Sequence, residues 1–172
     1  GAVSLDLPLC ITVVVSTPNL LGFDAEKELD VIKTALESVS DRVRLDIVRP
    51  ATREAFRKSL AKGPHVVHFI GHGGFDAVGE EGTPVGYLAF MKDNGDLDPV
   101  DAEQFEAFFS GTNVRLVVLT ACASAAPMPP QSPYPLTAMD GVAQRLVGGG
   151  GSAVSAVVAM QFDLEQNAAV AF

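Results

Sequence analysis

Two cysteines in 172 residues are too few for a disulfide framework, so stability has to come from a packed core, and a reactive thiol would last best in a reducing compartment. Basic residues are scarce too. Twelve Lys and Arg stand against 21 Asp and Glu, a formal net charge of −9, and no Lys/Arg cluster makes a local exception. That balance argues against nucleic acid and anionic membrane as partners. No apolar run approaches the roughly 20 residues that span a bilayer, and the first apolar run lacks a basic region ahead of it. A soluble, cytoplasmic protein is expected. There is no internal repeat, and Cys10, at the edge of the first apolar run, reads as a small buried hydrophobe.

What is present is 48% hydrophobic residues, enough for one well-buried domain over 1–172 and too little chain for two of ordinary size. Strand-like and helix-like segments alternate. Leu9 to Val15 is β-branched and reads as a central strand; Leu29, Ile32, Leu36 and Val39 then recur at helical spacing, with Asp24 placed to cap and Glu26 and Glu28 suiting the positive end. Val43 to Val48 looks like an edge strand, Thr52 caps a helix to about Leu60, and Val66 to Ile70 is a third strand. This βαβαβ order predicts an α/β fold: a mostly parallel sheet with helices on both faces. Gly86 to Met91 and the turn Asp93-Asn94-Gly95 suggest a small inserted β-hairpin, and Asp98-Pro99 reads as a helix cap with proline at the first helical position. Beyond these come a strand from Leu116, a helix from about Ala138 to Val147 ended by Gly148 to Gly151, and a strand at Ala153 to Val158. Residues 125–136, crowded with prolines, are expected to form a mobile loop: a surface insertion or a cleft wall that orders on activation.

Two of the apolar runs lead into reactive residues. His-Val-Val-His-Phe-Ile-Gly-His reaches His72, and Val-Arg-Leu-Val-Val-Leu-Thr-Ala-Cys reaches Cys122, fifty residues later. Short β-branched runs followed by small residues mark the carboxyl ends of buried parallel strands, where open α/β sheets collect their ligands. A histidine and a cysteine brought there could act as general base and nucleophile, because a thiol is little ionised at neutral pH without a neighbouring base. Attack on a carbonyl also needs oxyanion donors, for which the main-chain amides of Gly73 and Cys122 are the natural pair, with Gly71 and Gly74 turning the chain around His72. Ala121, Ala123 and Ser124 leave the nucleophile open to a polypeptide.

The phrases HFIGHGGFD, VVLTACASA and VVAMQF resemble those of the CHAT family, caspase-like cysteine peptidases of the caspase and separase clan. The resemblance covers most of the chain from about Leu9. It implies a three-layer caspase-hemoglobinase-like fold, His72 and Cys122 as a catalytic dyad, cleavage of a protein or peptide substrate without metal or organic cofactor, and activation by a partner or a linked repeat or sensor domain. Ser124, Gln161 and Asp163 become candidate substrate contacts, since this clan builds part of its primary pocket just past the last strand. Thr120 stands where a related branch that cleaves after basic residues has an acid. Asp163, with Gln166 three residues on, also fits a capping box, and Ser124 a helix-start residue. The final helix shows no stop signal before Phe172, so the chain is expected to be cut within a larger protein.

Other constellations carry less. His65, His68 and His72 lack a completing ligand, and residues 65 and 68 fall on opposite faces of a strand, so no metal site is expected and His68 reads as a core histidine satisfied by a neighbour. Asp93, Asp96 and Asp98 fit a hairpin turn better than a calcium loop. Gly148 to Gly151 lack the lysine and following helix of a phosphate loop. Two rivals to a peptidase remain: a catalytically silent scaffold or signalling domain, and a small-molecule hydrolase or acyl transferase on a flavodoxin-like sheet.

Overall fold

The run Leu9–Val15 has apolar side chains to bury on both faces, and it becomes an inner strand, β1, in a computed structural model that describes residues 7–18, 25–76, 85–122, 142–143, 145–147 and 154–159. Helix α1 (Ala25–Glu37) follows, then strand β2 (Val43–Val48), helix α2 (Arg53–Leu60) and strand β3 (Val66–Asp76). Strands β4 (Val85–Met91) and β5 (Leu97–Asp101) lead into helix α3 (Ala102–Ala107), and strands β6 (Leu116–Cys122) and β7 (Ala156–Ala159) complete the described sheet. Five strands are parallel, in the order β2-β1-β3-β6-β7, while β4 and β5 pair antiparallel with each other and β4 with the far end of β3. The expected mostly parallel α/β sheet with a hairpin insertion is therefore the fold observed.

Alternation along the strands separates two cores. Val13, Val15 and Ile70 face α1, packing with Ala25 and Leu29. Val14, Val67, Phe69, Val117 and Leu119 face the other way, onto α2 and α3 and onto Val142 and Leu146 of the helical residues 142–143 and 145–147. Six phenylalanines gather on that second face: Phe56, Phe69, Phe90, Phe105, Phe108 and Phe109, with Phe56 and Phe108 edge-on at 5.2 Å between centroids. The predicted stripe of α1 is shallower than its spacing suggested: Ala25 and Leu29 are buried, whereas Ile32, Leu36 and Val39 are only half-buried.

The sequence misplaces two local features. Gly71 and Gly74 do not turn the chain around His72; β3 runs straight through them to Asp76, its first half parallel to its neighbours and its last four residues antiparallel to β4. These glycines allow close approach instead. A Cβ on Gly71 would lie 2.9 Å from the Ser16 carbonyl oxygen, and one on Gly74 2.6 Å from the Tyr87 hydroxyl oxygen, which belongs to its cross-strand partner. Asp98-Pro99 is likewise not a helix start but part of β5, where a proline without a donor is tolerated at a sheet edge. The cap of α3 is Asp101, accepting from the amide of Gln104 at 2.8 Å. Thr52 caps α2 as expected, accepting from Ala55.

Asp98 serves another purpose. Its carboxylate takes Nε and Nη2 of Arg53 at 2.6 and 2.8 Å, while Nη2 also reaches the Pro99 carbonyl, so α2 grips the hairpin with a bidentate pair that is mostly shielded from solvent. Arg53→Leu should cost about 1.5–3 kcal/mol, as loss of hydrogen bonds to a charged group does, read as a lower urea midpoint. An unchanged midpoint would show the clamp to be idle.

Candidate active site

β3 and β6 are neighbours in register: Val66 pairs with Leu116, and six residues further along His72 pairs with Cys122. Partners in a parallel ladder sit on the same side of the pleat with their backbones about 4.8 Å apart. The two residues singled out from sequence thus occupy facing positions in the last row that the two strands share among the described residues. This is the carboxyl edge of the sheet. It is also near the switch point between β1 and β3, because β1 connects through α1 to β2 on one side while β3 leads onward to β6 on the other.

His72 is 7% exposed and is flanked by Gly71 and Gly73. Burial lowers its pKa from the ordinary 6.5, so at neutral pH the imidazole is held neutral and able to accept a proton. Gly73 follows it within β3, paired with Leu88 of the hairpin. Ser124, Gln161, Asp163 and the proline-rich stretch 125–136 lie outside the described residues.

Beneath the row of His72 and Cys122 the same sheet face carries a polar group that sequence reasoning found only in pieces. His68 is satisfied by a neighbour as expected, and that neighbour is Thr120: Nε2 and Oγ1 share a hydrogen bond of 2.7 Å. The same nitrogen lies 3.3 Å from Glu28 Oε1 on α1, and the two side chains are 18% and 13% exposed. Glu28 looked like a first-turn acid suiting the helix dipole. The clue to its other role was its place on the apolar stripe, next to Leu29 and one turn before Ile32, where an acid needs a buried partner. His65 is elsewhere, at the amino edge, where its Nδ1 accepts from the Cys10 amide at 3.0 Å. A cleft of about 480 Å³ between α2 and α3, lined by Arg57, Phe108 and Asn113, also opens at that amino edge, away from His72.

Among the described residues no group of three or more His, Cys, Asp or Glu could hold a metal ion, and no helix is long and apolar enough to cross a membrane. A mostly parallel sheet between helical layers, carrying a histidine and a cysteine in register at its carboxyl edge, is a caspase-like architecture. The sequence matches the CHAT domain, a caspase-like family, over residues 17–172, and the chain belongs to that family. No curated protein matches it.

Proposed function

We propose that this CHAT domain is a cysteine endopeptidase working through a His72–Cys122 dyad. The observation that carries the reading is the in-register pairing of these two residues on adjacent strands. His72, neutral because it is buried, takes the thiol proton as Cys122 attacks the scissile carbonyl, and returns it to the departing amine. The amides of Gly73 and Cys122 meet the oxyanion. A water molecule, with His72 again as base, then hydrolyses the thioester and restores the thiol. A depressed imidazole pKa favours a neutral thiol and imidazole at rest over a standing ion pair.

The test is cleavage of a diverse peptide library read by mass spectrometry, with wild type and Cys122→Ala side by side. Products that vanish in the variant are expected. Products that persist unchanged in it would remove Cys122 from the chemistry, and no products from either would favour a silent scaffold.

A further inference from the structure

The sheet's period of two sorts the polar residues of the active face into rows. Along β3, His68, Ile70 and His72 fall on one side; along β6, Val118, Thr120 and Cys122 occupy the corresponding positions. His72 and Cys122 make the outermost row, Ile70 and Thr120 the next, and His68 and Val118 the third. The His68 ring does not stay in its own row. It reaches diagonally across the strand gap to Thr120, the side chain one step below Cys122.

One nitrogen meets both oxygens: His68 Nε2 shares a hydrogen bond with Thr120 Oγ1 at 2.7 Å and stands 3.3 Å from Glu28 Oε1. A carboxylate on α1, an imidazole on β3 and a hydroxyl on β6 are therefore tied at a single point. Thr120 is 6% exposed. Burying three polar side chains on an otherwise apolar face gains little over aliphatic residues of the same size, so bulk stability is a poor account of them. What such a network supplies is definition: it permits one arrangement of its partners where apolar packing tolerates several. It joins the carboxyl end of β6 to α1, whose buried residues are Ala25 and Leu29.

We infer that Glu28, His68 and Thr120 are positioning residues that hold the carboxyl end of β6, and with it the backbone of Cys122, in register with His72. Their role is to act through the strand. The inference rests on the proposed dyad.

It is tested on the whole chain by the rate at which iodoacetamide alkylates each cysteine, followed by peptide mapping. Cys10 sits at the other edge of the sheet and serves as the internal reference, because loosening of the fold would speed its reaction. Thr120→Val and Glu28→Gln are close in shape to the originals and should slow Cys122 about tenfold at neutral pH, as loss of about one hydrogen bond's worth of alignment would, with Cys10 unchanged. Thr120→Ser keeps the hydroxyl and should restore most of the rate. His72→Ala separates the two levels of argument. If it slows Cys122 while Thr120→Val and Glu28→Gln do not, the positioning role falls and the dyad stands. Should none of the three variants slow Cys122, the dyad reading falls and takes the positioning role with it. Faster alkylation of both cysteines in Thr120→Val or Glu28→Gln would show that the network only stabilises the fold, which also overturns the inference.

Discussion

His72→Ala is expected to slow Cys122-dependent cleavage by about 10²- to 10⁴-fold, the usual worth of a positioned general base. The loss should fall on kcat more than on KM, because the imidazole acts on a proton in flight and offers no surface to hold substrate. Its signature is in the pH profile. Burial has moved the His72 pKa below 6.5, and a base must be deprotonated to work, so the acidic limb of the wild-type kcat/KM profile should rise at a pH below 6.5. In the alanine variant that limb should flatten. An acidic limb well above 6.5 would overturn the lowered His72 pKa, whereas an imidazolium paired with thiolate before substrate arrives would show instead as activity lost on an alkaline limb when the imidazolium deprotonates. Cys10 cannot make up the loss: it lies at the start of β1, with Sγ directed to the Pro8 carbonyl at 3.4 Å.

Phe56→Ala is expected to lower stability by about 3–5 kcal/mol, the range for removing a buried aromatic side chain. Phe56 is fully buried, and its ring meets Phe90, Phe105, Phe108 and Phe109 at centroid distances of 5.7, 6.1, 5.2 and 6.1 Å. Four flat partners anchored on α3 and the hairpin cannot all slide into the space that one ring leaves. The cavity therefore persists, and with it the cost. Domains of this size have about 5–15 kcal/mol in total, so the variant should sit close to the edge of folding. Thermal unfolding would show it as a drop in Tm of roughly 6–20 °C, at 2–4 °C per kcal/mol. A shift of only a degree or two would mean that the cluster repacks freely.

The strands were legible because β-branched runs bury both faces and leave little choice: β1, β2, β6 and β7 fall where the pattern puts them, within a few residues. His72 and Cys122 were legible for the same reason, each standing after such a run. Gly71 and Gly74 misled, since glycines on both sides of His72 look like a turn when no neighbour is in view; what they answer to is the Ser16 carbonyl and the Tyr87 ring, both distant in sequence. Asp98 misled similarly. Asp-Pro is a good helix start by local chemistry, but Arg53, 45 residues earlier, claims the carboxylate and the strand claims the backbone. Glu28 was read as a helix-end charge, because its partner His68 lies across the α1 interface and spacing along either element does not name it.

The pairing of β3 with β6 has a further consequence, in time. β1, β2 and β3 all lie within the first 76 residues, so they can associate as soon as they leave the ribosome, whereas β6 begins only at Leu116. At roughly 5–20 residues per second, one edge of β3, the apolar stretch Val66–Ile70, waits some seconds for the strand that will cover it. An open, β-branched strand edge is the surface on which nascent chains stick to one another. The strand that delivers His72 thus waits with an open edge for a chaperone to cover, and the histidine is in place before the cysteine opposite it has been made.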